Sequence, residues 1–272
     1  PPAQGFVVDN STGSDSTGNG VSGAPFATIQ AALNAAGVNG TVVVRPGTGT
    51  YSGSLTMLSG QTLVGADFQV VSPQGAVRPK LQGSVIMGDN CIVRGLEISG
   101  PGVVCVDGRG RDGGEISQCD LFNATGYAVN LDGAQGSWLF EDNIVSGNGG
   151  GLTAVLTGSQ SLKVEVAFSE FRNNTQSGLL LDAGSSGSIT AGLFSSVFAN
   201  NQDGFSVDAR AAGTSAMCMD ISGNQNDDVY RLARTTALFQ VEQFSQLTNL
   251  NTGVVNVVSD AIQEVSDGFC GF

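Results

Sequence analysis

The chain has 272 residues, of which 40% are hydrophobic, so it can bury a sizeable core, and its 40 glycines show no Gly-X-Y period that would indicate collagen. The 24 acidic residues against 11 basic ones give a net charge of −13, which disfavours nucleic acid, anionic lipid and polyanionic glycans as partners. Histidine is absent, which excludes Ser-His-Asp and Cys-His catalysis as well as His-ligated metals.

Residues 1–40 are predicted to form a cap made of a polar loop and an amphipathic helix. The helix is expected over Pro25 to Gly37, because proline is favoured in the first turn of a helix and glycine just past its end. Four apolar residues share one face of it: Phe26, Ile29, Leu33 and Ala36. The loop from Asp9 to Gly20 is rich in oxygen ligands but lacks the acidic spacing of an EF-hand. An ordinary polar loop is therefore expected, with calcium as the alternative and no other metal or cofactor.

Residues 41–235 carry a repeat of about 25 residues. When the repeats are aligned, one column of the alignment holds the polar residue that follows each short apolar run: Asp107, Asp132, Thr157, Asp182 and Asp208. A second column is apolar: Ile98, Phe122, Val145, Phe171, Phe198 and Ile221. Strand-length runs separated by Gly, Asn and Ser exclude helical repeats, and the period is too short for a propeller blade. The pattern predicts an all-β chain, a right-handed parallel β-helix with three short strands in each rung, a rung being one circuit of the chain.

Like side chains are expected to stack from rung to rung inside such a solenoid. Three phenylalanines should therefore point into the core: Phe122, Phe171 and Phe198. The asparagine pairs at 173/174 and 200/201 fall where the chain turns between strands. Asparagine tolerates the left-handed conformation and can hydrogen-bond its copy in the next rung, so these pairs are expected to be structural.

Residues 236–272 lose the period and are predicted to close the solenoid with irregular strands and a short helix over Asp260 to Val265. The whole chain is expected to be one structural domain. The five cysteines form no C-x-x-C pair and no common zinc spacing, so free, mostly buried thiols are expected. Val103 is expected to point inward, and Cys105, two residues later in an alternating run, should point the same way. No apolar run reaches the length of a membrane span, so membrane insertion is not expected.

The segments "VVDNSTGSDSTGNGVSGAPFATIQAAL", "TVVVRPGTGTYSG" and "QTLVGAD" resemble the N-terminal cap and first turn of β-helix proteins of the pectin-lyase-like superfamily. With the repeats, the resemblance covers residues 7 to about 235. It implies the fold but no single activity, since that superfamily holds lyases, hydrolases, esterases, epimerases and non-catalytic surface proteins. Its R-I-K and D-P-H signatures are absent here. A second resemblance, to passengers of polymorphic outer-membrane proteins, is carried by F-x-x-N repeats: "FEDN" at 140–143, "FRNN" at 171–174 and "FANN" at 198–201.

The favoured hypothesis is an extracellular or cell-surface binding or structural module, of adhesin or passenger type, without catalytic activity. Its partner would be a glycan or another cell-surface ligand, because the surface is poor in charge and the rungs look alike. The candidate ligand-binding residues follow the strand ends of the acidic column: Asp107, Arg109, Asp132, Asp208 and Arg210.

The alternative hypothesis is a polysaccharide hydrolase or lyase that uses the aspartate face. Asp182 and Asp208 would then be stacked on neighbouring rungs, and their repulsion would raise the pKa of one of them to make an acid. Exposed aromatic rings beside them would favour this hypothesis, and Trp138 and Tyr127 are the nearest available. Against it, an aspartate between a strand and a glycine or alanine is ordinary turn chemistry.

Overall fold

The computed structural model describes residues 5–68, 76–201, 205–221, 225–226, 229–235, 237–246, 254–257 and 262–272. Over these residues the chain is almost entirely β-structure, wound into a solenoid of about seven turns with three parallel sheets along its length. The prediction of an all-β parallel β-helix is confirmed.

The first sheet contains eleven strands in the described part of the chain, all paired in parallel. They are β1 (Phe6–Val8), β2 (Thr41–Val44), β5 (Thr62–Gly65), β8 (Cys91–Arg94), β11 (Asp112–Ser117), β14 (Gln135–Glu141), β17 (Ser161–Ala167), β20 (Ser188–Phe194), β23 (Ala216–Asp220), β26 (Leu238–Glu242) and β28 (Gln263–Val265).

In each rung the chain passes from the first sheet to the second and then to the third. It then returns to the first sheet, where the next rung begins. The second sheet consists of β3 (Tyr51–Ser52), β6 (Lys80–Gln82), β9 (Glu97–Ser99), β12 (Asp120–Phe122), β15 (Ile144–Ser146), β18 (Glu170–Arg172), β21 (Val197–Ala199) and β24 (Gln225–Asn226). The third sheet consists of β4 (Leu55–Thr56), β7 (Val85–Ile86), β10 (Val106–Asp107), β13 (Tyr127–Asn130), β16 (Gly150–Val155), β19 (Leu179–Asp182), β22 (Phe205–Ala212), β25 (Val229–Thr235) and β27 (Val254–Val257).

The N-terminal helix α1 (Ile29–Ala36) covers the open end of the core, as predicted, but begins four residues later than Pro25. Thr28 is its N-cap, and the Thr28 side chain accepts a hydrogen bond from the backbone N–H of Ala31. At the other end, the buried side chain of Gln61 donates hydrogen bonds to the backbone carbonyls of Leu33 and Gly37, both at 2.8 Å. The Gly37 carbonyl thereby gains a partner beyond the last turn, and the Leu33 carbonyl gains a second one beside the backbone N–H of Gly37.

The core contains columns of like residues, one from each rung. On the second sheet the parallel register places one such column inside: Ile98, Leu121, Val145, Phe171 and Phe198. The rings of Phe171 and Phe198 are stacked with centroids 5.0 Å apart, which confirms the prediction for these two residues. For Phe122 the prediction is wrong, because its neighbour Leu121 occupies the column and Phe122 is half-buried on the outer side. Ile221 is also outside the column, since Asn226 pairs with Phe198.

Two ladders of buried polar side chains run along the turns of the solenoid. Between the second and third sheets, the side-chain oxygens of Asn148, Asn174 and Asn201 each accept a hydrogen bond from the backbone N–H one rung earlier, over 2.9 to 3.3 Å. Asn173 and Asn200 precede two of them and are left-handed, with φ of 56° and 55°. The asparagine pairs are thus structural, as predicted: one member makes the turn and the other joins the rungs.

The second ladder lies between the first and second sheets. Asn143 accepts a hydrogen bond from the backbone of Cys119, and the hydroxyls of Ser169 and Ser196 continue the series, with bonds of 2.9 to 3.2 Å. Asn143 ends the "FEDN" segment, whereas the last asparagines of "FRNN" and "FANN" belong to the other ladder. The first F-x-x-N segment therefore does not occupy the position of the other two.

The C-terminal residues differ from the sequence-based expectation. The strands β26, β27 and β28 remain paired in parallel with the preceding rungs, so regular stacking continues past residue 235. The short helix expected over Asp260 to Val265 is wrong for its described part, because Gln263–Val265 is a strand. Residues 260 and 261 lie outside the described residues.

The expectation of free thiols also needs one correction. Cys218 and Cys270 form a disulfide across 52 residues of sequence. Cys91, Cys105 and Cys119 are free and buried, as predicted. Cys105 is buried even though Val103, which was expected to face inward beside it, is 70% exposed.

Candidate functional site

The aspartates singled out in the sequence all lie on the third sheet or its following turn, but not in one column. The strand register pairs Asp107 with Asn130 and Asp208 with Leu180. Asp182 pairs with Arg210, two residues beyond Asp208. The interval-based column is therefore wrong: equal spacing in sequence was produced by turns of different length, and Asp182 and Asp208 do not stack.

Two of these aspartates are neutralised by an arginine two residues later. Arg109 donates to Asp107 through Nε at 2.9 Å and Nη2 at 2.6 Å. Burial alone would raise the pKa of Asp107, but the hydrogen bonds and charge of Arg109 outweigh it and lower that pKa. Arg210 makes the same bidentate pair with Asp208, whose carboxylate is almost completely buried.

The other two aspartates hydrogen-bond the backbone at turns. Asp132 Oδ1 accepts from the backbone N–H of Val155 at 2.9 Å, and Asp182 Oδ1 accepts from that of Gly184 at 2.8 Å. The Asp182 bond is the local one expected of a turn aspartate, whereas the Asp132 bond joins its turn to the next rung. The arrangement gives each of the four carboxylates a structural partner.

The aromatic residues named as potential sugar platforms do not form one. Trp138 is 3% exposed and packs inside the solenoid, where Gly108 and Gly114 leave room for its ring. Tyr127 is half-buried, and its ring lies against Gly150 of the next rung.

A cleft that the sequence did not reveal lies on the outer face of the first sheet. Its volume is about 460 Å³, and its floor is a column of outward side chains, one from each of four rungs: Ile92, Glu115, Leu139 and Glu165. Asn90, Ser137 and Lys163 line one side of it. We call this feature the first-sheet cleft.

The other side of the cleft borders a second outward column, Arg94, Ser117 and Glu141. Arg94 donates to Glu115 at 2.5 Å through Nη2, and the Ser117 hydroxyl donates to the same carboxylate at 2.6 Å. Burial raises the pKa of Glu141, and the charges of Asp142, Glu115 and Glu165 raise it further. The cleft and the column beside it thus carry three glutamates against two basic side chains, and aliphatic side chains alternate with carboxylates along the floor.

Residues Gly271 and Phe272 lie beside one end of the cleft, where they contact Lys163. Gly271 accepts a hydrogen bond from Lys163 Nζ at 2.7 Å, and the same ammonium lies 4.3 Å from the ring centroid of Phe272. The Phe272 ring also packs edge-on against Phe194 of β20. We call residues 266–272 the C-terminal strap.

The N-terminal loop offers its acidic oxygens to the protein itself. Asp9 accepts hydrogen bonds from Ser11 and Thr12, and Asp15 accepts three from Ala27 and Thr28 at the start of α1. Among the described residues, no group of three or more Cys, Asp or Glu side chains is arranged to hold a metal ion. The calcium alternative for this loop stays a prediction.

No family model and no curated protein matches this sequence. Among solved structures, Escherichia coli YbhC is similar over 83% of this chain and 73% of its own, with 15% identity and a TM-score of 0.55. The A-module of the mannuronan C-5 epimerase AlgE4 from Azotobacter vinelandii matches over 88% of this chain and 95% of its own, with 13% identity and a TM-score of 0.30. At such identities, similarity concerns the fold alone.

Three parallel sheets joined rung by rung define this chain as a parallel β-helix protein. Within that class, it has the pectin-lyase-like fold. No helix in the described part of the chain is long and apolar enough to cross a membrane.

Proposed function

We propose that this protein is a secreted or surface-displayed binding module that holds a neutral or cationic glycan chain in the first-sheet cleft without cleaving it. One observation carries the proposal: carboxylates and aliphatic side chains alternate along the cleft floor, at Ile92, Glu115, Leu139 and Glu165. Carboxylates accept hydrogen bonds from hydroxyl or ammonium groups, while aliphatic side chains pack against the apolar face of a sugar ring.

The charge of the cleft supports the choice of ligand. Glu141 and Glu165 have no arginine bound as closely as the one on Glu115, and the whole chain carries a charge of −13. A polyuronate would be repelled by this field, whereas an amino-sugar chain would be attracted to it. The column also advances one rung at a time along the solenoid axis, which suits an extended ligand rather than a compact one.

The ion pairs of the third sheet support a non-catalytic role. Asp107 and Asp208 are each held by an arginine, and the lowered pKa of Asp107 makes that carboxyl a poor general acid. The binding role assigned from sequence to the third-sheet aspartates and arginines stays a prediction. The stronger candidate for a ligand site is the first-sheet cleft.

A polysaccharide hydrolase or lyase is the second candidate, and one observation favours it. The raised pKa of Glu141 is the kind of shift that general acids show. This enzyme would act on the first sheet instead of using Asp182 and Asp208.

The test uses glucosamine, N-acetylglucosamine and galacturonate oligomers of matched length, titrated by calorimetry. Binding is expected for the first two and not for the third. Glu165→Gln and Leu139→Ala should each weaken binding about tenfold, the loss expected for one hydrogen bond to a charged group or one buried aliphatic contact. The control is Glu170→Gln, because Glu170 lies on the second sheet, away from the cleft.

Two results would contradict the proposal. Equal affinity of Glu165→Gln and the wild type would remove the cleft from the binding site. Release of reducing ends by the wild type, lost in Glu141→Gln at unchanged melting temperature, would make the protein an enzyme.

A further inference from the structure

We infer that the C-terminal strap is a disulfide-held stop that limits how many sugar units the first-sheet cleft can bind, and that a dithiol reductant releases it. The part that concerns ligand length rests on the proposed function. The release of the strap does not, and it can be measured without any ligand.

The strap lies on the same outer face as the cleft, one rung further along. The cleft floor ends at Glu165, and the strand register places Gly192 beside Glu165 in the next rung. A side chain at Gly192 would collide with the strap, since an added Cβ would lie 2.8 Å from Cδ1 of Phe272. The Phe272 ring thus occupies the position into which the next unit of an extended ligand would continue.

Lys163 links the cleft and the strap. Lys163 lines the cleft, and its ammonium group donates to the Gly271 carbonyl at 2.7 Å and lies over the Phe272 ring. A carbonyl acceptor and a ring face are also what a ligand would offer a lysine. The strap therefore satisfies within the chain a group that a longer ligand would contact.

One covalent bond and a few polar contacts hold the strap in place. Cys270 is bonded to Cys218 of β23, and the buried carboxylate of Glu242 accepts hydrogen bonds from the backbone N–H groups of Gly268 and Cys270 at 2.7 and 2.6 Å. Most strap residues are otherwise exposed, including Phe269 at 55%. A short, exposed segment with few buried contacts opens readily once its cross-link is removed.

Both disulfide cysteines are half-buried rather than enclosed, so a small thiol can reach them. A thiolate of the dithiol attacks one sulfur, breaks the Cys218–Cys270 bond and forms a mixed disulfide. The second thiol of the reductant then displaces the protein sulfur. The products are two protein thiols and the cyclic disulfide of the reductant, with two electrons and two protons transferred to the protein.

The first experiment measures release of the strap through the chain's two lysines. Lys163 is under the strap, whereas Lys80 lies on the second sheet with a side chain that is 60% exposed, and serves as the internal control. Acetylation by an N-hydroxysuccinimide ester is followed for both peptides by mass spectrometry. After reduction by dithiothreitol, the rate at Lys163 relative to Lys80 should rise about tenfold, because its ammonium loses its acceptor and its covering ring.

The double variant Cys218→Ser/Cys270→Ser should show the raised Lys163 rate without reductant. Phe272→Ala should show part of it with the disulfide intact, and Phe269→Ala should not, since Phe269 is exposed on the strap. If mass spectrometry confirms that the disulfide is cleaved and the Lys163 to Lys80 ratio stays constant, the strap is not released by reduction and the inference is wrong.

The second experiment concerns ligand length and uses glucosamine oligomers of two to eight units. In the oxidised protein, affinity should stop increasing at a chain length that fills the cleft, and in the double serine variant it should continue to increase for longer chains. Absence of binding at every length in both forms would count against the proposed function only. Identical length dependence in both forms, with Lys163 released, would show that the strap does not limit ligand length.

Discussion

Asp182 and Asp208 show that identical residues in adjacent rungs have different structural roles. The Asp208 carboxylate is 1% exposed and bound by Arg210, whereas Asp182 caps a turn through one oxygen. Asp208→Asn should lower the free energy of unfolding by about 1–3 kcal/mol, because the guanidinium loses its charged partner. Asp182→Asn should change it by less than about 1 kcal/mol, since an amide oxygen accepts the same hydrogen bond. Urea denaturation of both variants measures the difference, and equal losses would show that the ion pair contributes nothing.

Asp9 gives the molecule a predictable sensitivity to acid. Its Oδ1 accepts a hydrogen bond from the Ser11 hydroxyl at 2.5 Å, and this bond is the main cause that lowers the pKa of Asp9 from 3.8 to about 2. The unfolded chain binds this proton first, so the stabilisation is complete above about pH 4 and is lost as the pH falls through about 2.

The variant Asp9→Asn tests this dependence. It should be less stable than the wild type at pH 7, and it should show a smaller loss than the wild type between pH 4 and pH 2. Denaturant melts at the three pH values supply the comparison. A variant as acid-sensitive as the wild type would assign the acid response to other carboxylates.

Among the strands, those of the second sheet depend on a continuous row of core side chains. Phe171 of β18 lies between Phe198, at a centroid distance of 5.0 Å, and Phe140, at 5.5 Å. Phe171→Ala should cost about 3–5 kcal/mol, the range for removing a fully buried ring. Phe122→Ala is the matched control, since Phe122 is on the outer side of β12, and should cost much less. Equal costs in chemical denaturation would contradict the assignment of the two facings.

The repeat in the sequence was sufficient to predict the strands and the stacking, but not the register. Rung lengths vary because the turns differ in length, so counting intervals aligned Phe122 with Phe171 where the structure has Leu121. The same error aligned Asp182 with Asp208. The asparagine pairs were interpreted correctly because the left-handed conformation is a local property of the turn residue, and the hydrogen bond between rungs follows from stacking like turns.

The cleft was not predictable in the same way. Glu115, Leu139 and Glu165 lie in ordinary alternating strands and share no motif, and only the register of the first sheet brings them together. The disulfide was missed for a related reason: Cys218 and Cys270 are 52 residues apart, and their contact depends on the path of the C-terminal strands.

For the whole molecule, the number of reactive thiols among the five cysteines tests both the buried core and the disulfide of the C-terminal strap. Burial raises the pKa of Cys105 to about 11 and that of Cys119 to about 12, and both residues are fully buried, as is Cys91. Native, unreduced protein should therefore react slowly with a thiol reagent at every site. Denaturation should expose three reactive thiols, and denaturation with reduction should expose five. Rapid labelling of Cys105 in the native protein would show that its side chain, just before β10, points outward.

The buried asparagine ladder also bears on how such a molecule can change its size over evolutionary time. Asn148, Asn174 and Asn201 make the same bond to the preceding rung. The contact between neighbouring rungs is therefore the same at these three places. Duplication or loss of a DNA segment encoding one of these rungs would preserve the asparagine bond at the new junction. Repeat architectures have this property because each unit contacts only its neighbours. A gene of this kind can therefore lengthen or shorten its product in whole steps without redesigning the interior.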